Sequence, residues 1–362
     1  MPSTLADKNL QLCEIAPGEI SEIAHFIARK QLNSQSSLSD EQVAARLRWI
    51  VMDNPAREAG MPLGWCLRDE LGTVAGCICC APQNFVLQGK VVTLMMSSSF
   101  YVDQQHRAAG VSIFLKFLQL GKRYPLFASS ANAVVAEMWK RMGAFPIGNS
   151  EHEMLGVRRW RGVVEEGLVQ RLGNNSFTRT MTMAGAAVLS ITKRLGKMDD
   201  AGALLPIERP EEGAVLCAKE SERFTSLRDT SYLRWRYFSQ VDPTTRLYAF
   251  HAARDSRDYM IATNFRQRGY RSQIRTVNVL DVFPEPNPEI YRIIAQTMIG
   301  QYQSQADVLV FRCLGRSGQH AMRMLGFVRR EFAAPIAWCF DKFQNLPSRD
   351  WYFVPADGDM LL

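Results

Sequence analysis

The chain has 362 residues, 47% of them hydrophobic, and a formal net charge of +7. That length exceeds a usual domain of about 100–200 residues and predicts two units with real cores. The modest basic excess suits an anionic cofactor, a nucleic acid or a membrane surface, or serves solubility alone. Among the eight cysteines (Cys13, Cys66, Cys77, Cys79, Cys80, Cys217, Cys313 and Cys339), the Cys77/Cys79/Cys80 cluster lacks the paired spacing of a zinc site. These read as buried, reduced thiols, and no metal is expected. Such thiols suit a reducing cytoplasm, and the polar N-terminus of mixed charge carries no secretory signal.

In chain order, residues 10 to 55 read as helical. Ile20, Ile23, Ala24, Ile27 and Ala28 recur at helical spacing, and Ser39 or Asp40 caps a second helix through Trp49 and Ile50. Strands follow at Trp65 to Arg68, Thr73 to Ala81 and Val91 to Val102, with turns at Glu70-Leu71-Gly72 and Gln88-Gly89-Lys90. Strand alternation puts Cys77 and Cys79 on one face and Cys80 on the other. It likewise puts Ser97 and Ser99 on one face of the long strand and Ser98 on the other. A basic turn containing Gly110 comes next. A helix from Ser112 to Gly121, a strand from Leu126 to Ser129 and a helix from Ala133 to Met142, stopped by Gly143, complete the first unit, residues 1–155.

Residues 156–222 read as a connecting region with helical pieces, broken near Pro206 and Pro210. Its most apolar helix, Met181 to Thr192, is a run of about a dozen residues against the ~20 needed to span a bilayer. It lies on a surface or packs between units, and packing is the favoured reading. The second unit, residues 223–362, repeats the order of the first. It opens at Asp229 and has strands near Arg246 to Ala252, Asp258 to Asn264 and Ser272 to Phe283. A helix near Glu289 to Gln303, a strand at Val308 to Arg312 and a helix ending in Gly326-Phe327 follow. The run Tyr232 to Tyr237 either offers Arg234, Trp235 and Arg236 to a sugar or nucleic acid, or packs Trp235 and Tyr237 on the core; packing is favoured.

A strand feeding a flexible turn and a helix start presents backbone N–H groups and the positive end of a helix dipole, a natural phosphate site. Here that corner is Phe100 to Gln119. Its Arg107-Ala108-Ala109-Gly110-Val111-Ser112 resembles the Q/R-x-x-G-x-G/A loop of the GNAT (general N-acetyltransferase) superfamily, with Ser112 at the last small position. Asn132, Gly143 and Phe145 resemble that family's later helix, with Trp139 where a Tyr is usual and Ala144 inserted before Phe145. The fold class implied is α/β (α+β): two GNAT-like units, each a mixed, mostly antiparallel central sheet flanked by helices. The resemblance implies acetyl-CoA or another acyl-CoA as co-substrate. Phe100, Tyr101 and Val102 would meet pantetheine, and Arg107, Ala108, Ala109, Gly110, Val111 and Ser112 the diphosphate. Asn132 would bond the cofactor arm, or serve as a helix N-cap. Ser99 and Trp139 are the candidates for catalytic groups, although an indole cannot transfer a proton at useful pKa. His106 reads as a surface or phosphate contact and Asp103 as a turn-former. The second unit has Phe283-Pro284-Glu285-Pro286-Asn287-Pro288 in place of the loop, so it is not expected to hold CoA.

The expected activity is acyl transfer to an amine. Short motifs, among them Pro62 to Trp65, Tyr232 to Tyr237 and Asp350 to Phe353 with Asp357 and Asp359, resemble bacterial tandem-GNAT proteins of cell-surface polysaccharide synthesis. That implies an amino-sugar or nucleotide-sugar acceptor, placed between the units. Two rivals remain: a Fem-type aminoacyl transferase using charged tRNA, although nucleic acid is not the favoured partner, and a degenerate scaffold that binds without turnover.

Overall fold

The computed structural model describes residues 10–31, 39–87, 89–147, 152–172, 176–192, 202–217, 223–239, 241–252, 255, 257–268, 274–312, 314–331, 338–340 and 351–358. Asp350, Asp359, Cys313 and the turn residue Gln88 lie outside them. The chain opens with strand β1 (Gln11–Glu14), which the sequence reading missed, then helices α1 (Ile20–Gln31) and α2 (Asp40–Val51). Ser39 and Gln42 form a reciprocal capping box that starts α2. Strands β2 (Gly64–Arg68), β3 (Val74–Leu87) and β4 (Lys90–Val102) make an antiparallel meander. Helix α3 (Gly110–Leu118), β5 (Leu126–Ala128), α4 (Ala133–Arg141), β6 (Phe145–Pro146) and β7 (His152–Val157) follow.

Next come the helices α5 (Trp160–Leu172) and α6 (Ser176–Thr192), β8 (Ala203–Pro206), α7 (Pro210–Cys217) and β9 (Thr225–Ser226). The second half holds α8 (Thr230–Tyr237), β10 (Arg246–His251), β11 (Asp258–Arg268), β12 (Ile274–Phe283), α9 (Pro288–Gln301), β13 (Val308–Arg312), α10 (Arg316–Met324), β14 (Val328–Glu331) and β15 (Trp338–Phe340). A strap, residues 351–358, closes the described chain.

Two mixed sheets result, each flanked by helices. One runs β1-β2-β3-β4-β5-β15-β6, with β9 beside β3; the other runs β8-β10-β11-β12-β13-β7-β14. Position by position their strand directions agree. Three antiparallel steps lead to one parallel pair, β4 with β5 or β12 with β13, and two antiparallel steps follow. The sixth strand of each sheet is exchanged: β7 joins the second sheet and β15 the first. The boundaries expected at 155 and 222 therefore do not separate the sheets. β7 straddles the first of them, β8 of the supposed connector pairs with β10, and β15 returns to the first sheet.

The expected echo between α4 and α10 is a shared helix stop. Gly143 and Gly326 both adopt positive φ, and the N–H groups of Ala144 and Phe327 donate five residues back, to Trp139 and Met322. Ala144 thus stands in register with Phe327. Cys77 and Cys79 face one core and Cys80 another, all three fully buried and none in a disulfide. The largest core is shared by both halves. It joins α1, α2 and the inner face of β3 to α8, β10 to β12 and the strap. There Trp49 and Trp235 stack at 4.8 Å, and each indole N–H donates to the other residue's carbonyl at 2.9 Å. This is the packing role favoured for Trp235.

Candidate functional site

The site forms where the parallel pair at the centre of the first sheet ends. β4 pairs with β5 over Met95–Leu126, Met96–Phe127 and Ser97–Ala128 only. Beyond Ser97, β4 continues to Val102 with no strand of the described residues beside it on that side. A bulge lies in the same place: the register with β3 shifts between Cys77 and Cys79, and Ser99 adopts φ +53°. A bulge turns the following residues and leaves part of the ladder unpaired. It also breaks the alternation expected of the serines. Ser98 and Ser99 bring their hydroxyls within 3.4 Å of each other instead of facing apart. The Cys77 thiol donates to the Ser99 carbonyl at 3.5 Å.

The phosphate corner follows at once. Residues Gln104–Ala109 wind as a 3-10 turn that runs into α3, kinked at His106. Arg107, Ala108, Val111 and Ser112 are exposed, so side chains do not plug the corner. Gly110 is buried with φ −56°, and its N–H donates back to the Arg107 and Ala108 carbonyls. Its glycine identity serves packing: a Cβ would meet Val102 Cγ2 at 3.0 Å. Gly76 acts in concert, since a Cβ there would meet Ile113 and Val102 at 3.2 and 3.3 Å. Two missing side chains thus seat the start of α3 close over the end of β4. The Ser112 hydroxyl donates to the Ala109 carbonyl at 2.6 Å.

The remaining expected residues divide. Phe100 stacks on Phe114 of α3 at 6.0 Å, Tyr101 packs toward the shared core, and Val102 packs beneath Gly110. Asn132 caps α4, its Oδ1 accepting from the Val135 N–H at 3.0 Å, which is the structural alternative raised for it. Trp139 is fully buried, edge-on to Phe114 and Phe117, with no hydrogen-bond partner for its indole N–H. Its place in α4 makes it a core side chain rather than a proton donor. Asp103 does not cap the turn with its side chain; it pairs with Lys30 of α1 and ties that helix to the corner. No spacing in the sequence marks that ion pair.

The equivalent edge of the second sheet is occupied. β12 and β13 pair from Thr276–Val308 to Val279–Phe311, and β12 then bulges at Leu280. Against that edge lies the strap: the Tyr352 hydroxyl donates to the Val282 carbonyl, and Val354 and Pro355 share a small cleft with Asp281 and Arg312. Glu285, in the segment replacing the loop, pairs with Arg223 at 3.1 Å, and burial raises its pKa.

No family model and no curated protein matches the sequence. Solved structures do match. The fold is similar to that of a GCN5-related N-acetyltransferase from Anabaena variabilis, at 13% identity and a TM-score of 0.54, over 91% of this chain and 72% of that one. It is also similar to Saccharomyces cerevisiae N-myristoyltransferase with bound myristoyl-CoA, at 10% identity and a TM-score of 0.58, over 100% of this chain and 87% of that one. At such identities the likeness establishes the fold alone: mixed sheets flanked by helices, arranged as in these two structures.

Proposed function

We propose that the chain is an acyl-CoA-dependent N-acyltransferase of tandem type, using acetyl-CoA or a longer acyl-CoA in its first unit. One observation carries the reading: the β4–β5 ladder stops at Ser97 and Ala128 beside the Ser99 bulge, immediately before an exposed basic corner. Backbone of Phe100, Tyr101 and Val102 would pair with the pantetheine amides. Arg107 would supply a charge-assisted donor to the diphosphate, beside Ala108, Ala109, Val111 and Ser112, with Gly110 as the packing point and Asn132 near the arm. The bound acyl-CoA of the yeast neighbour supports this choice of co-substrate.

The reaction is attack of an amine nitrogen on the thioester carbonyl. A C–N bond forms, the C–S bond breaks, the thiolate leaves on CoA, and the amine proton passes to a base or to water. Ser99, at the bulge, is proposed as the hydroxyl that donates to the carbonyl oxygen. The acceptor is proposed as an amine on an amino sugar or nucleotide sugar. It would enter beside β4, since the shared core fills the space around Trp49 and Trp235. The free buried thiols accord with a reducing, cytoplasmic setting.

Calorimetry with acetyl-CoA and a series of longer acyl-CoAs tests the co-substrate, and thiol release against an amine panel tests the reaction. Saturable binding with amine-dependent thiol release is expected. No heat with any acyl-CoA at high micromolar ligand overturns the reading, and binding without thiol release reduces the chain to a ligand-holding scaffold.

A further inference from the structure

Helix α6 is unusual on its outer side. The helix lies on a surface and does not pack between units as favoured from the sequence: on its inner face Thr178, Thr182 and Ala186 are buried, Leu189 joins the core over β7 and β13, and a Cβ on Gly185 would meet Val164 of α5 at 3.3 Å. Its outer face should then be charged, as on most surface helices. Instead Met181, Met183 and Val188 are 44%, 69% and 59% exposed, beside exposed Ala184 and Ala187. From Thr180 to Thr192 the sequence holds no Asp, Glu, Lys or Arg. In sequence the charges flank that run: residues 160–197 carry six Lys and Arg, including Arg179, Lys193, Arg194 and Lys197, against Glu165 and Glu166. This short stretch supplies more than half of the net +7.

We propose that the outer face of α6 seats on an anionic lipid bilayer. A charge-free run of thirteen residues, about 20 Å of helix, flanked in sequence by Lys and Arg, is the pattern of a helix lying in a membrane interface. No helix of the described residues is long and apolar enough to cross a membrane, so the contact is with one leaflet. Charge decides against a second copy as the occupant, because two such hairpins would bring like charges together. The centre of the run also offers neither aromatic faces nor polar groups, the features a nucleic acid would need.

The test is co-flotation of the full chain with vesicles of phosphatidylcholine alone and of phosphatidylcholine doped with phosphatidylglycerol. Binding to the doped vesicles only, weakened by salt, is expected. Met183→Glu with Val188→Glu should lower partitioning by about tenfold or more, as should Lys193→Glu with Arg194→Glu, at roughly 1 kcal/mol per lost cation. All four substitutions fall on the surface helix or just beyond it, and unchanged thermal melting would show that the fold is kept. Absence of binding to doped vesicles, or undiminished binding by both variants, overturns the proposal. So does a dimer in light scattering that Met183→Glu dissolves, which would assign the face to a second copy.

Discussion

Ser99 holds a left-handed backbone conformation that costs a non-glycine residue about 1–2 kcal/mol. A β-branched side chain tolerates it least. Ser99→Val should therefore lower stability by about 2 kcal/mol, while Ser99→Gly should stay within about 1 kcal/mol of the parent, relief of strain opposing the extra entropy of the unfolded glycine. Urea melts measure both. At Gly110 the argument is steric and electrostatic together. Gly110→Ala presses on Val102 and should cost about 1–3 kcal/mol of stability. Gly110→Glu adds a carboxylate where phosphate is proposed and should abolish acyl-CoA binding in calorimetry; unchanged affinity would remove the site from this corner. Arg107 and Gly110 were legible because the basic loop and its glycine stand adjacent in sequence. The Ser99 bulge was not, since a serine in that conformation looks like any strand serine until the register against β3 is known.

Among elements, the Trp49–Trp235 pair joins α2 to α8 by stacking and two reciprocal hydrogen bonds. Either Trp→Ala change should cost about 3–5 kcal/mol. The double variant should lose less than the two single losses combined, because each single change already breaks the shared contact. Denaturant titration of the four proteins reads that coupling; simple additivity would mean that the halves are joined elsewhere. The central strands and helices were legible from periodicity and caps, to within a few residues in most cases. β1 was missed because its four residues are mostly exposed and show no alternation. The exchange of β7 and β15 was invisible for another reason: consecutive elements usually neighbour one another, and nothing local tells a strand that it will pair in the other sheet.

At the scale of the whole molecule, the strap fastens both halves. Arg228 contacts Asp281 of β12 at 2.8 Å and Asp357 of the strap at 3.3 Å, all with fully buried side chains. Asp357 also accepts from the Ser226 hydroxyl and the Val354 N–H; the Tyr237 hydroxyl donates to Asp281, the Tyr232 hydroxyl donates to the strap carbonyl of Ala356, and the Arg236 guanidinium N–H donates to that of Gly358. Burial pushes the Asp357 carboxyl up to about 6, against the pull of Arg228 and with the push of Asp281. The folded chain thus holds this proton more tightly than the unfolded one. Its stabilising contribution is fully present below the unfolded pKa, near 4, and is lost as pH rises through about 6. The difference in melting temperature between the parent and Asp357→Asn should move against the parent over that interval and level off above it. A difference that is flat from pH 4 to 7 would contradict this.

The central claim is a location, and a crystal structure with CoA tests it most directly. The account predicts the diphosphate on Arg107 to Ser112 and the pantetheine along Phe100 to Val102, beyond the last β4–β5 pair at Ser97 and Ala128. Density for CoA anywhere else, the strap-covered edge of β12 included, would contradict it.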